Sequence, residues 1–269
     1  MKYLITVDLE GIHGVLGQRY CTLSEGPDYQ DAIEGAILEI NTVTRALFDC
    51  GAEKVAVWDC HGSGKNLDFS LLDSRIVKVC HDSARGRFGF AADHGFDAVI
   101  YLGYHAREGL SGGILAHTFS SKNIQYCKLN GVAIGELTVD AYATHDHGMA
   151  SILHAGDDIS CPEITELCPG IVTVITKYGR GRNEGELRPR EDVLAELYEA
   201  TVKAVNGPMP HPVTPFPKDA SVEIRYTRAE RAEDMLAKAA SLGIPCQYGE
   251  DTHVLICRVD RAAQIPELL

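Results

Sequence analysis

Leu4-Ile5-Thr6-Val7-Asp8-Leu9-Glu10-Gly11 is an apolar run that ends in two carboxylates and a glycine. The residues from Lys2 to Val7 are rich in Val, Ile, Leu, Tyr and Thr, so they read as a buried strand. Strand side chains alternate faces, which points Asp8 and Glu10 the same way. Gly11 can take the positive φ that ends a strand and lets the backbone approach a neighbour closely. Two acids on one side of a buried strand end repel each other unless a cation sits between them. Taken alone, the same pair can instead cap turns or neighbouring helices.

Outward from this stretch the chain alternates strand and helix. The spacing of Ile33, Ile37, Ile40, Val43 and Leu47 predicts a helix from about Asp28 to Cys50, and Gly51 supplies its C-terminal stop. Lys54 to Trp58 is a second buried strand ending in Asp59-Cys60-His61, so the unit is strand–helix–strand with parallel strands. Ile76 to Val79 and Asp97 to Tyr104 read as two further strands, the last ending at His105. Ile124 to Leu129 and Val132 to Ile134 flank Asn130-Gly131, a strong hairpin signal. Gly135-Glu136 opens a helix to His147; strands at Ala150 to His154 and Ile171 to Ile175 and a helix from Pro189 to Val205 follow. Five prolines between Pro208 and Pro217 mark a boundary. Beyond it, a strand from Ser221 to Tyr226, a helix from Arg228 to Leu242 and strands near Gln247 and Val254 predict a small appendage. The fold class is therefore α/β, a largely parallel sheet flanked by helices with a smaller C-terminal α+β portion. Residues 1–207 form the larger domain and 218–269 the smaller.

A net charge of −13 argues against nucleic acid or an anionic membrane as partner. No apolar run approaches the length of a membrane span, and the N-terminus lacks a signal-peptide pattern. Nine cysteines are scattered without a C-x-x-C pair, which fits reduced cytoplasmic thiols better than a disulfide framework. Gly62-Ser63-Gly64-Lys65 fails as a phosphate loop, because Asp59 occupies the first glycine position and Asn66 the magnesium-binding Ser/Thr position. No G-x-S-x-G elbow supports a serine hydrolase.

Ligands of open parallel sheets gather beyond the carboxyl ends of the strands. Asp8, Glu10, His61 and His105 all fall at such ends. Carboxylate plus imidazole suits zinc, manganese or iron, and a shared carboxylate such as Asp8 is what a two-metal site requires. His117, just past a glycine-rich loop, can act as base, acid or nucleophile, or be structural. His145-Asp146-His147 does not share a helix face and reads as a polar helix end. Arg107, Arg180 and Arg182 are the cations read as available to the site, too few to favour a phosphoesterase.

Val7-Asp8-Leu9-Glu10-Gly11, Asp59-Cys60-His61, Leu102-Gly103-Tyr104-His105-Ala106, Ala116-His117, Gly135-Glu136-Leu137 and Ala155-Gly156-Asp157-Asp158 together resemble the M55 peptidase family, the zinc-dependent D-aminopeptidases of the dipeptide-operon type. Their order and approximate spacing match across the first two thirds of the chain. The resemblance implies Asp8, Glu10, His61, His105 and Glu136 as ligands of two zinc ions, with Asp8 bridging, and His117 as the catalytic histidine. It also implies a cytoplasmic homo-oligomer, a decamer, that hydrolyses the N-terminal residue of short peptides. The alternatives are another metal-dependent amidase or phosphoesterase, or a non-catalytic metal- or small-molecule-binding module.

Overall fold

The computed structural model describes residues 1–80 and 87–269. In chain order the elements are β1 (Lys2–Val7), α1 (Tyr29–Asp49), β2 (Lys54–Asp59), β3 (Val77–Val79), α2 (Ala91–His94) and β4 (Ala98–Leu102). Then come β5 (Ile124–Leu129), β6 (Val132–Ile134), α3 (Glu136–Asp146), β7 (Ala150–Asp157), α4 (Ser160–Leu167) and β8 (Val172–Gly181). The last are β9 (Glu184–Leu187), α5 (Arg190–Val205), β10 (Ala220–Tyr226), α6 (Ala229–Ser241), β11 (Cys246–Tyr248) and β12 (Val254–Val259).

The larger sheet has the order β3-β2-β1-β4-β7-β8-β9. All its neighbours are parallel except β9, which turns back on β8. The chain leaves β1 toward β2 and β3 and then crosses to the other side of β1 with β4. The order therefore reverses between β1 and β4, and their carboxyl ends diverge there to leave a crevice.

Burial follows the period of two along β1. Tyr3, Ile5 and Val7 join the core beneath α1 and α5. Leu4 faces a second core shared with Trp58, Tyr101, α3 and the smaller sheet. Both faces of the sheet are covered, which is why its strands read as continuous apolar runs.

The smaller sheet, β11-β12-β10-β5-β6, is antiparallel throughout. The Asn130-Gly131 hairpin forms as its sequence predicts, with both residues at positive φ. Its strand β5 pairs with β10, so the 207/218 division is crossed by a β-ladder. The thiol expectation is corrected at one place. Cys246 and Cys257 are joined as a disulfide, because β11 and β12 set them directly opposite each other, a pairing that an eleven-residue spacing does not reveal. Cys21, Cys50, Cys60, Cys80, Cys127, Cys161 and Cys168 are free. No described helix is long and apolar enough to cross a membrane.

Candidate metal centre

Asp8 and Glu10 follow β1, His61 follows β2 and His105 follows β4, all at the reversal point. The backbone there is held close. Asp8 N donates to Leu102 O at 2.9 Å and Gly11 N to Gly103 O at 2.6 Å. A Cβ on Gly11 would strike the Tyr104 carbonyl oxygen, and one on Gly103 the Asp8 carbonyl oxygen. Gly11 is required for that close approach and not for a positive φ, which belongs to Gly103 (φ 72°). The two strand ends thus bring Asp8 and His105 together.

Glu136 and His117 arrive from the other layer. Glu136 is the first residue of α3, after the β5–β6 hairpin. His117 sits on the loop before β5, between two non-glycine residues at positive φ, Leu115 (51°) and Phe119 (56°). Such conformations cost on the order of 1–3 kcal/mol each and persist only where contacts over-determine them. Leu115 N donates to Arg182 O at 2.7 Å, the Arg182 guanidinium donates to Ala116 O, and Phe119 N donates to Glu136 Oε1 at 3.1 Å.

Asp8, Glu10, His61, His117 and Glu136 line a cavity of about 390 Å3. His105 Nε2 lies 2.8 Å from Glu136 Oε1 and 3.5 Å from Asp8 Oδ2. His61 Nε2 lies 3.3 Å from Glu10 Oε1, and His117 Nε2 lies 3.7 Å from Glu136 Oε1. Among the described residues, two sets offer ligand atoms within 4.8 Å of one another: Asp8, Glu10 and His105; and His105, His117 and Glu136. His105 belongs to both.

Asp8 Oδ2, Glu10 Oε2, His61 Nδ1 and His105 Nε2 are buried and make no hydrogen bond. Close approach without hydrogen-bond alignment is what donor atoms aimed at a common cation produce, and buried polar atoms are otherwise almost always paired. His105 donates Nδ1–H to Ala106 O at 2.9 Å, since a carbonyl can only accept, and this leaves the Nε2 lone pair on the site side. The donor set of three carboxylates and neighbouring imidazoles fits zinc.

The electrostatics show the same need for positive charge. Burial, then Glu10 and Glu136, push the Asp8 carboxyl well above its ordinary range. Burial also pushes Glu10 up, but the hydrogen bond and charge of His61 outweigh it and leave Glu10 well below. Burial disfavours charge on His61 and His105, yet Glu10 raises His61 to about 9 and Glu136 holds His105 well above the usual imidazole value. Glu136 sits at about 2, where the charge of His105 overcomes burial. His117 differs. Burial and then His105, whose ring it stacks at 3.9 Å, pull it below 6.5. It donates Nδ1–H to Leu115 O at 2.8 Å, so a neutral ring presents a basic Nε2 to the cavity.

The cations at the site are not those expected. Arg180 pairs with Glu186, Arg182 braces the His117 loop, and Arg107 lines a different cavity. Arg87 and Lys122 line the metal cavity instead. Arg87 donates through Nε and Nη2 to both oxygens of Asp140, which also accepts from Tyr104 OH at 2.6 Å. Its guanidinium lies against the Trp58 and Phe119 rings. Asp140 stands four residues after Glu136 on α3, a spacing that puts both on one helix face and was the available signal. Cys60 is no nucleophile: its thiol contacts Val7 O and Tyr104 OH, and burial pushes it well above 9. His145 and His147 lie at the end of α3 as read, with His145 against His211 at 3.0 Å. His154 is buried beside Ser160, and His81 lies outside the described residues.

The chain is similar to the D-aminopeptidase of Bacillus subtilis strain 168, with 26% identity over 234 residues, covering 87% of this chain and 84% of that relative. Its fold matches the solved structure of the zinc-dependent D-aminopeptidase DppA from Bacillus subtilis, described as a self-compartmentalizing protease. The TM-score is 0.85 at 22% identity, covering 100% of this chain and 95% of that one. The family model for M55 peptidases, D-aminopeptidases, matches residues 1–240, which takes in every strand end and loop that contributes to the cavity. The convergence of those segments and the extent of that match place this chain in the M55 D-aminopeptidase family.

Proposed function

We propose that this chain is a di-zinc aminopeptidase that removes the N-terminal residue of short peptides containing D-amino acids. Asp8, Glu10, His61, His105 and Glu136 would hold the ions, with Asp8 the carboxylate that would serve both. The observation that carries the reading is the set of buried, unpaired donor atoms on Asp8, Glu10, His61 and His105.

Zinc in such a site supplies Lewis-acid polarisation of the scissile carbonyl and lowers the pKa of water toward neutrality. His117 Nε2 takes a proton from the attacking water and passes it to the departing amine as the C–N bond breaks. Its neutral ring makes it a base, not a charged donor. The bracing of its loop by Arg182 and Glu136 holds Nε2 in place. The relative's description as self-compartmentalizing supports a homo-oligomer here too, and a decamer is the assembly we assign to this cytoplasmic enzyme.

The test is metal analysis of the purified protein, followed by hydrolysis of D- and L-aminoacyl amides and of D-Ala-D-Ala with and without chelator. Two zinc ions per chain, cleavage that stops with chelator and returns with zinc, and a preference for D-residues are expected. Metal-loaded protein that is inert on the whole panel overturns the proposal in favour of a binding module.

A further inference from the structure

The segment that follows β1 is buried without being regular. Leu9, Glu10, Ile12, His13 and Val15 are all buried and lie outside helix and strand. Their backbone carbonyls therefore have neither a ladder nor bulk water to pair with. Lys177 supplies the missing donors. Its side chain is fully buried, and Nζ donates to Glu10 O at 2.5 Å, Ile12 O at 2.9 Å and Val15 O at 2.7 Å. Three bonds to three carbonyls use every N–H of an ammonium. Among the described residues, Glu10 O and Val15 O accept from no other group. Desolvating an ammonium is unfavourable, so packing alone does not account for a lysine here.

Lys177 reaches this loop because β8 departs from its period of two. Val174 and Thr176 are buried in alternation, and Lys177 is buried directly after Thr176. The β7–β8 register shifts at that point: Gly156 pairs with Ile175, but Asp157 pairs with Lys177. The extra residue in β8 is a bulge, the device by which a strand re-aims a side chain. Thr176 turns to the same loop and donates Oγ1–H to Gly11 O at 2.8 Å. The peptide group between Glu10 and Gly11 is thus pinned at both ends, its N–H by Gly103 O at 2.6 Å and its carbonyl by Lys177. The Glu10 carboxylate lines the metal cavity, with Oε1 3.3 Å from His61 Nε2 and Oε2 unpaired.

Resting on the reading of Glu10 as a metal ligand, we propose that Lys177 is a positioning residue for Glu10. By clamping the carbonyls of residues 10, 12 and 15 it fixes the backbone from which that carboxylate projects, and so sets how tightly the centre holds zinc. Lys177 does not line the cavity and touches no reacting atom. Groups that orient a ligand from outside the coordination sphere typically contribute a factor of about 10–100 in metal affinity.

Zinc affinity is measured on the full-length protein, stripped of metal and reloaded in competition with a chromophoric chelator, with urea unfolding recorded alongside. Lys177→Met should weaken zinc binding about 10–100-fold. Glu10→Gln should weaken it at least as much, and Glu10→Gln/Lys177→Met should be little weaker than Glu10→Gln alone, because Lys177 acts through Glu10. Asp28→Ala is the control. Asp28 Oδ2 accepts from Leu16 N at 2.9 Å and Gly17 N at 2.8 Å, further along the same loop. Its loss should lower stability and leave zinc affinity unchanged. Additive losses in the double variant, wild-type affinity in folded Lys177→Met, or an equal loss of zinc in Asp28→Ala overturns the positioning role while leaving Glu10 a ligand. Unchanged affinity in Glu10→Gln overturns the ligand reading and the inference with it. Where Lys177→Met does not fold, Lys177→Arg, which keeps the charge but cannot offer three donors from one nitrogen, runs the same cycle with the same expected loss. Failure of both to fold overturns the proposal by making Lys177 a requirement of the fold itself.

Discussion

His117 Nε2 faces the carboxylates with its other ring nitrogen committed to Leu115 O, and its ring lies flat against His105. That geometry separates two histidines of the same type. The carboxylates around His105 hold its pKa well above the usual imidazole value, whereas burial and then His105 pull that of His117 below 6.5. A residue that moves a proton without anchoring the metal can be deleted without losing the metal. His117→Ala should lower kcat by about 10²–10⁴, while zinc content by metal analysis stays near that of the wild type. If zinc is lost from that variant, His117 is a ligand, a role its place in the second donor set also permits. His117 was legible in the sequence as a histidine after a glycine-rich loop, but its tautomer was not. That depends on the Leu115 carbonyl two residues away, whose position the fold of the loop decides.

At the scale of elements, the site depends on how closely β1 and β4 approach where they diverge. Gly103 combines a φ of 72° with a Cβ position blocked by the Asp8 carbonyl oxygen and by Ile12. Gly103→Ala should therefore cost at least about 2 kcal/mol, from left-handed strain and backbone collision together, and should reduce bound zinc by displacing Asp8 and His105. Gly51→Ala provides the contrast. Gly51 has a φ of 83° but open space around its Cβ position, so only the conformational cost of about 1 kcal/mol applies. Urea unfolding of the two variants measures both, and equal losses would refute the role of close approach. The strands and helices themselves were readable. β1, the Asn130-Gly131 hairpin and α1 follow their patterns to within a residue or two. β8 runs six residues beyond the apolar run Ile171 to Ile175, because β9 folds back to pair with it. That pairing partner is polar and carries no apolar signal of its own.

The whole molecule covers both faces of its main sheet, and one consequence is a buried carboxylate outside the metal cavity. Glu39 on α1 is buried, accepts only His13 N at 2.9 Å, and leaves its second oxygen unpaired. Burial raises it to about 7. The folded state thus holds this proton more tightly than the unfolded chain, whose glutamates titrate near 4.3. The contribution of Glu39 to stability is fully present below that unfolded value and is lost as pH rises through about 7. Between pH 5 and 8 the loss amounts to about 2 kcal/mol. Glu39→Gln should flatten the fall in unfolding free energy over that range by about this amount. Parallel pH profiles for the two proteins would rule Glu39 out as the source.

The sequence by itself determined the parallel strand–helix alternation, the hairpin, and the candidacy of Asp8, Glu10, His61 and His105. Period-two and period-3.6 burial are local properties, and residues at strand ends can be named from the strand alone. Only the tertiary structure decided that Glu136 and His117 cross from the second layer to meet them, that Arg87 and Lys122 replace the arginines first favoured, and that Cys246 faces Cys257. The β5–β10 ladder likewise joins the C-terminal strands to a hairpin nearly a hundred residues earlier. The physical reason is the same in each case: such contacts depend on the register and packing of segments distant in the chain, and no local pattern encodes the distance between them.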